Sequence, residues 1–411
     1  MSPSSFLKWY AASLLAGALA VAGFNAFVDP YGIHRFAAVA GMNREKYEQG
    51  SCFAKAAEIA AGGYDAVILG NSRTTIGISP THRAWEGFRT YNLATFGDMI
   101  RSTGAEFRFA SRTNRLRRVL FAADFDMFIA PDVAGPDFSL SPFNEGRDPL
   151  RAFLAHTWSL SALRLSFRTL NRNLKWEPSG YVAGAWDDRL AFESEDAARV
   201  GHRYLFDHVL EKNMLIREIY YAGAGYDRAA LDDVRGMVDE CRRREIDLRI
   251  FISPVHARQL EAIRDAGLWD EFESWKRDLA RAAAGTGAGP AFPIYDFTGY
   301  SGFVAEPVPP AGDTATRMKR FWESSHYTKA LGDKVLERIY AVPTAPGGIV
   351  VGAGFGDLLT ADNVDRHLEE IRRQREAYAR EQPFEVAEVA RLAEKTRPER
   401  EAVRRRLRGT R

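Results

Sequence analysis

The chain has 411 residues, 46% of them hydrophobic, which is enough for one large domain with insertions or for two domains. Its 56 basic and 54 acidic residues nearly cancel, so no global field favours nucleic acid as a partner. The two cysteines, Cys52 and Cys241, exclude a framework of several disulfides and lack the spacing of a zinc site. We predict two buried thiols, with one disulfide as the alternative.

An uncharged stretch of 19 residues, 10–28, lies near the N-terminus. At about 1.5 Å per residue, a helix of this length just crosses a hydrocarbon core of about 30 Å. Trp9 and Tyr10 precede or begin it, where aromatic rings favour the membrane interface. We predict an uncleaved signal anchor, because the apolar run exceeds the usual core of a signal peptide. A cleaved signal peptide and a buried core helix are the alternatives.

The predicted topology is that of a single-pass protein of the inner membrane. Residues 1–9 would form a cytoplasmic tail, and the bulk of the chain would lie in the periplasm or outside the cell. Charge does not establish this orientation, because Lys8 precedes the apolar stretch while Arg35, Arg44 and Lys46 follow it.

The remaining chain alternates between helical patterns and short apolar runs. Residues 29–60 are predicted to be a membrane-proximal helical linker, with a helix over 36–60. The predicted strands cover 65–70, 91–94, 119–123, 247–254 and a short run in "FPIYDF". Strands that alternate with helices favour an α/β fold, a parallel sheet covered by helices on both faces. We assign this domain to residues 61–342.

Two segments fall outside this alternation. Residues 132–227 are predicted to be an insertion, loop-rich over 132–171 because prolines recur there. Residues 343–411 are predicted to be a glycine-rich linker and a charged helical tail, whose last eight residues include five arginines. We interpret the tail as a solvated helix; contact of its basic end with acidic lipids or an anionic polymer is the alternative.

Polar residues and turns follow the predicted strands at their carboxyl ends. Ser72 follows the first strand, Gly97 the second and Asp124 the third, while His326 lies on the last loop. Ligands of open α/β sheets bind outside the carboxyl ends of the strands. The sequence therefore predicts that these residues meet at one edge of the sheet.

These residue types fit nucleophilic catalysis. A serine hydroxyl needs a base within hydrogen-bond reach, and that base needs an orienting acid. Glu323 precedes His326 by three residues, so one turn can present the acid beside the imidazole. Asp296 and Asp313 are rival acids, and His256, in "SPVH", is a rival base or a residue of the pocket wall. A Ser72 that only caps a helix is the non-catalytic interpretation.

Three blocks resemble, in order, those of the SGNH (GDSL-type) hydrolases: "GNS" with Ser72, "YNLATFG" with Gly97, and "ESSHYTKALGDKVLERIY" with Glu323 and His326. "VDPYG" and "FISPVHARQL" are similar to the membrane-anchored branch of that family, which includes O-acetyltransferases of cell-envelope polysaccharides. The likeness spans roughly residues 28–342.

The resemblance implies a flavodoxin-like three-layer α/β/α sandwich. We expect no cofactor or metal, because no cluster of His, Cys or carboxylate residues has metal-ligand spacing and the sequence has no glycine-rich phosphate loop. The resemblance also implies Ser72 as nucleophile, His326 as base and Glu323 as orienting acid, with the amides of Ser72 and Gly97 as the oxyanion hole. The expected activity is acyl-ester hydrolysis or O-acyl transfer through an acyl-serine. The expected partners are an acylated or acceptor carbohydrate and the envelope polysaccharide machinery. The alternative is a non-catalytic polysaccharide-binding or assembly component.

The chain departs from the family at two positions. The acid is Glu323, where the family usually has Asp. The third strand ends in "AADFD", with Asp124 where the family has an asparagine that donates to the oxyanion. An ionised carboxylate cannot donate a hydrogen bond. Asn71 and Arg73 are the candidate replacements for that donor.

Overall fold

The computed structural model describes residues 2–34, 36–48, 50–128, 136–176, 181–182, 186–187, 196–221, 225–343 and 354–409. The chain divides into two compact units. The first consists of Met1–Gly62 and Ala134–Ala185, and the second of Gly63–Val133 and Trp186–Arg411. All the residues predicted to act in catalysis belong to the second unit.

Helices predominate over strands in both units. The helices, in chain order, are α1 (Pro3–Val28), α2 (Cys52–Ala60), α3 (Ser72–Gly77), α4 (Ile100–Thr113), α5 (Pro136–Leu140), α6 (Pro149–Thr157), α7 (Leu160–Leu174), α8 (His202–Tyr221), α9 (Leu231–Arg243), α10 (Ala257–Asp265), α11 (Trp269–Ala282), α12 (Lys329–Tyr340), α13 (Val364–Glu381) and α14 (Pro383–Gly409). The strands are β1 (Ala66–Leu69), β2 (Thr90–Asn92), β3 (Arg118–Ala122), β4 (Tyr181–Val182), β5 (Trp186–Asp187), β6 (Asp247–Ile252), β7 (Ile294–Asp296) and β8 (Asp357–Leu359).

A six-stranded sheet of order β2-β1-β3-β6-β7-β8 forms the centre of the second unit. The first five strands are parallel, and β8 pairs antiparallel with β7. All four residues of β1 are buried, and four of the five in β3 are, as expected for continuous apolar strands inside a parallel sheet. The prediction of an α/β fold with a mostly parallel sheet is confirmed.

The N-terminal apolar helix is also confirmed in its coarse form. α1 has 26 residues, and its most apolar 18-residue window has a mean hydropathy of 1.8 with 17% of the window buried. It is therefore long and apolar enough to cross a membrane. The helix starts before residue 10, because Ser2 caps the Ser5 amide and Pro3 fits the first helical turn.

Two local predictions in the first unit differ from the structure. Of the described residues in 36–60, only Cys52–Ala60 are helical, because Gly41 adopts a φ of +76° and Ser51 caps a new helix. Residues 132–171 are mainly helical where the structure describes them, rather than loop-rich. Pro136 and Pro149 stand at the beginning of α5 and α6, where proline is tolerated because the first helical amides need no partner.

The C-terminal segment takes part in the second unit. β8 is the edge strand of the sheet, and α14 packs on α8 and α10. Val389, Leu392 and Ala393 of α14 are buried against these two helices. Glu385 forms a buried ion pair with Arg203 of α8. These contacts replace the solvated helix that the charge pattern suggested; most of the predicted glycine-rich linker, 344–353, lies outside the described residues.

Helices α3 and α12 approach each other through two glycines. A Cβ on Gly332 of α12 would lie 1.7 Å from the Gly77 carbonyl oxygen, and a Cβ on Gly77 would lie 2.0 Å from the Tyr327 ring. Neither position has room for a side chain. Because α3 begins at Ser72 and α12 follows His326, this close approach sets how near the two predicted catalytic residues come.

We expect Gly332→Ala to destabilise the protein by about 1–3 kcal/mol or more, because a backbone oxygen lies where the methyl group would be. The measurement is urea unfolding of the full chain in detergent, followed by tryptophan fluorescence. Gly302→Ala is the matched control, since nothing lies within 4 Å of its Cβ position. Equal midpoints for the two variants would contradict the role given to this contact.

Candidate active site

Ser72 stands at the sharp turn between β1 and α3. Gly70 adopts a φ of +150°, and a Cβ there would lie 2.5 Å from the Thr74 hydroxyl and 2.8 Å from the Ala122 side chain. The Asn71 side chain caps α3 by accepting a hydrogen bond from the Arg73 amide at 3.0 Å. The turn leaves Ser72 partly exposed.

A continuous hydrogen-bond chain joins Ser72, His326 and Glu323. The Ser72 Oγ lies 2.8 Å from His326 Nε2, and His326 Nδ1 is hydrogen-bonded to Glu323 Oε1. A carboxylate only accepts hydrogen bonds, so Nδ1 carries the proton and Nε2 is free to accept from the serine. This is the geometry of a nucleophile, a base and an orienting acid.

Glu323 is buried and held as an anion. Burial alone would raise the pKa of its carboxyl, but His326 and two backbone amides lower this pKa below its ordinary value. The Ser325 amide donates to Oε2 at 2.7 Å and the His326 amide to Oε1 at 2.9 Å. The longer side chain of Glu therefore folds back on its own loop and still reaches the imidazole.

The loop that carries Glu323 and His326 is fixed at several points. Buried His202 of α8 accepts a hydrogen bond from the Met318 amide at 3.2 Å through Nε2 and donates to the Trp322 carbonyl at 3.1 Å through Nδ1. The Glu306 carboxylate accepts from the Lys319 and Arg320 amides. These contacts hold the loop without the help of a substrate.

Arg73 forms the centre of a buried polar cluster next to this loop. Its Nε donates to Ser325 Oγ at 3.0 Å, Nη1 to Asp124 at 3.2 Å and Nη2 to Asp126 at 2.7 Å. Arg217 of α8 lies on the other side of Asp126, at 3.4 Å. Although burial would raise the pKa of Asp126, Arg217 and Arg73 lower it to about 2.

The cluster explains how a carboxylate is tolerated at the end of β3. Asp124 accepts hydrogen bonds from Arg73, from the Asn71 side chain at 3.1 Å and from the Ser253 amide at 2.8 Å. Its charge is thus compensated inside the protein. Arg73 and Asn71, which we considered as oxyanion donors, instead use these groups to hold Asp124.

The backbone supplies the remaining donor candidates. Ser72 is the first residue of α3, so its amide has no acceptor within the helix. Gly97 follows β2 on an exposed turn with a φ of +72°, a conformation that glycine adopts without strain. Among the described residues, neither amide donates a hydrogen bond.

Three predicted alternatives are engaged elsewhere, and His256 is the first. It is buried, with Nε2 donating to the Glu306 carbonyl at 2.8 Å and Nδ1 accepting from the Arg258 amide at 3.3 Å. Burial lowers the pKa of His256 to about 3. Its ring is therefore not placed to act as the base or to offer a nitrogen to a ligand. Its amide supports the loop of Glu323 and His326 by donating to the Ser324 carbonyl at 3.1 Å.

The rival acids also lie apart from His326. Asp296 pairs with Lys276 and with His367 at 2.8 Å. Asp313 is partly exposed, and its carboxylate accepts from the amides of Ala315 and Thr316. Both have structural partners of their own, which leaves Glu323 as the carboxylate on the imidazole.

Sequence reasoning missed Ser325, Asp126 and Arg217. Asp126 stands in the quoted "AADFD", but nothing in its spacing shows that two arginines, 53 residues before it and 91 after it, would pair with it. The second serine of "ESSH" is an equally weak signal. These contacts depend on the tertiary fold.

The chain fits no family model, and the search of curated proteins gives no significant relative.

We expect Arg73→Ala to cost about 3–5 kcal/mol, because removing one member of a buried ion pair leaves the others uncompensated. Arg243→Ala is the matched control: its side chain is 67% exposed and pairs with Glu240, so less than about 1 kcal/mol should be lost. Urea unfolding of the full chain measures both. A loss for Arg73→Ala as small as that of the control would argue against the cluster.

The lowered pKa of Glu323 implies a pH-dependent contribution to stability. A carboxyl with a depressed folded pKa stabilises the protein above its unfolded pKa, near 4.5, and loses this contribution as pH falls through the folded pKa. We expect the difference in unfolding midpoint between the wild type and Glu323→Gln to be full at pH 6–7 and to narrow below about pH 4.5. A difference independent of pH would contradict an ionised Glu323.

Proposed function

We propose that this chain is a membrane-anchored serine acyl-ester hydrolase or O-acyltransferase of the SGNH type, which acts on cell-envelope carbohydrate through an acyl-Ser72 intermediate. The observation that carries the proposal is the hydrogen-bond chain from Ser72 through His326 to Glu323. A binding or assembly component has no need of a base aligned on a serine, so this geometry favours the enzyme.

The topology of the sheet supports the family assignment. If the two-residue strands β4 and β5 are set aside, the parallel strands run in the order 2-1-3-4-5, which is that of flavodoxin-like folds. In such sheets the ligand crevice lies where the strand order reverses, which in this sheet is between β1 and β3. Ser72 follows β1 and Asp124 follows β3, so the candidate site lies at this crevice.

The proposed reaction follows from the positions of the protons. Ser72 Oγ attacks the acyl carbonyl carbon while His326 Nε2 takes the hydroxyl proton. As the tetrahedral intermediate collapses, the bond to the leaving alkoxide breaks, and that oxygen receives the proton from His326. The second half repeats these steps with water or a sugar hydroxyl as the attacking group. Glu323 stabilises the imidazolium that forms in each half.

The oxyanion requires donors, and the amides of Ser72 and Gly97 are the proposed pair. Compensation of Asp124 by Arg73 matters for this step, because a free carboxylate beside the developing negative charge would oppose it. In this proposal the Arg73 cluster does not supply the donor that an asparagine would. It removes the electrostatic repulsion that the Asp124 carboxylate would exert on the oxyanion.

In the proposed location, α1 is the membrane anchor. A helix long and apolar enough to span would anchor the chain, with residues 1–9 in the cytoplasm and the catalytic unit in the periplasm or outside the cell. Acceptors at that surface include the hydroxyl groups of envelope polysaccharides, and the polysaccharide machinery would be the partner.

The test is labelling of the full chain in detergent with a fluorophosphonate probe. We expect rapid labelling of the wild type, none for Ser72→Ala, and a rate lower by about 10³-fold or more for His326→Ala, since the base and nucleophile act as a unit. His208→Ala is the matched control, because His208 is an exposed histidine stacked on Tyr204. Folded wild type that does not react would overturn the enzyme proposal in favour of a binding component.

A further inference from the structure

Helices α6 and α7 of the first unit expose large apolar side chains. Over residues 149–176, eight are 39% to 81% exposed: Leu150, Phe153, Leu154, Trp158, Leu160, Phe167, Leu174 and Trp176. A contiguous pair of helices with this many exposed aromatic and aliphatic side chains is unusual for a surface that faces water. We call these eight residues the apolar face.

The opposite sides of the same helices are polar. The buried residues of α7 are Ala162, Ser166, Thr169 and Asn173, at helical spacing. In α6 the buried residues are Ala152, His156 and Thr157. The usual arrangement of an amphipathic helix, apolar inward and polar outward, is therefore reversed in both. Small and hydroxyl-bearing residues at helix contacts are typical of helices that pack in lipid.

The polar sides contact the end of the apolar helix α1. The Asn25 side chain donates to the Thr157 carbonyl at 2.9 Å and accepts from the Ser166 hydroxyl at 2.9 Å. The Phe24 and Phe167 rings lie 5.3 Å apart. These contacts place α6 and α7 beside the last turn of α1, where a spanning helix leaves the hydrocarbon core.

The charges on α6 and α7 have one sign. Residues 149–176 contain five basic residues, Arg151, Arg164, Arg168, Arg172 and Lys175, and no Asp or Glu. Arg151, Arg164, Arg168 and Lys175 are exposed like the apolar face. Leucine and aromatic side chains mixed with Arg and Lys are the composition of helices that lie in the interface of anionic lipids.

We propose that α6 and α7 form a second membrane contact, an amphipathic platform whose apolar face enters the headgroup and acyl boundary of the leaflet where α1 ends. The inference rests on α1 spanning the membrane, which is part of the proposed function. Two observations favour the bilayer as the occupant: the apolar face is continuous with α1, and the charged residues of 149–176 are all basic. Together, the span and the platform would fix the tilt of the first unit.

The experiment measures the depth of labels in the full chain, reconstituted in vesicles that contain anionic phosphatidylglycerol. One cysteine replaces Leu160 or Phe167 and carries an NBD fluorophore; Cys52 and Cys241 are buried, and the unsubstituted chain gives the background. A label at Leu15, in the middle of α1, reports the span independently. Quenching is compared for shallow doxyl lipids and for iodide, with the NBD adduct of free cysteine as the fully exposed reference.

We expect labels at 160 and 167 to be quenched by shallow doxyl lipid and to be at least about threefold less sensitive to iodide than the reference. Arg164→Glu should weaken the doxyl quenching, while Arg164→Lys, which keeps the charge, should leave it unchanged. Circular dichroism checks that the variants are folded.

Three results would overturn the platform. Iodide quenching equal to that of the reference would show a surface in water. Protection from both quenchers would show that protein, such as a second copy, covers the apolar face. Labels at 160 and 167 outside the lipid, with Leu15 inside it, would remove the platform and leave the anchor. If the label at Leu15 is also outside the lipid, both the platform and the membrane anchor are wrong. The fluorophosphonate test of Ser72 does not depend on this result.

Discussion

The arrangement of the second unit around Ser72 depends on one buried guanidinium. Arg73 follows the serine directly, and its three nitrogens bind two carboxylates after β3 and a hydroxyl on the loop of His326. A planar group with donors in fixed directions can join three segments at once, which a lysine ammonium on a flexible stem does less well. The end of β1, the end of β3 and the last loop are thereby fixed relative to one another, and these contacts act with the approach of α3 to α12 to set the distance between Ser72 and His326.

Packing and hydrogen bonding complete what the ion pairs begin. Gly77 and Gly332 lack side chains, so the backbones of α3 and α12 come into direct contact next to the site. On the other side of the loop, His202 and Glu306 bind backbone groups and leave the side chains of Glu323 and His326 to each other. Most of the entropy cost of ordering these side chains therefore arises when the protein folds. The side chains are then already in place before a ligand binds, which is what preorganisation of a site means.

The sequence predicted the parts of this site that depend on local pattern. A buried run ending in Gly-Asn-Ser indicated a strand and a turn with Ser72 at its tip, and the spacing of Glu323 and His326 indicated an acid beside an imidazole. Contacts over long separations left no such signal: nothing near Arg73 shows that it pairs with Asp124, and His256 has the same local context whether its ring is free or enclosed. The prediction that residues 132–171 are loop-rich was wrong, because Pro136 and Pro149 lie at the beginning of helices. The charge of the C-terminal segment likewise concealed the buried stripe of α14.

Helices α6 and α7 of the first unit differ from the elements of the second unit in the kind of residue that they bury. In the second unit, strands and helices turn apolar residues inward, as a chain in water must. In the first, α6 and α7 turn serine, threonine and asparagine inward and leucine, phenylalanine and tryptophan outward. The two cases are distinguished by the direction in which each apolar face points. A helix with its apolar face outward gains free energy only if that face leaves water. The reversal in α6 and α7 fits the proposed contact with lipid, which would extend the lipid-facing part of the chain from the 26 residues of α1 to the helices that pack on its end.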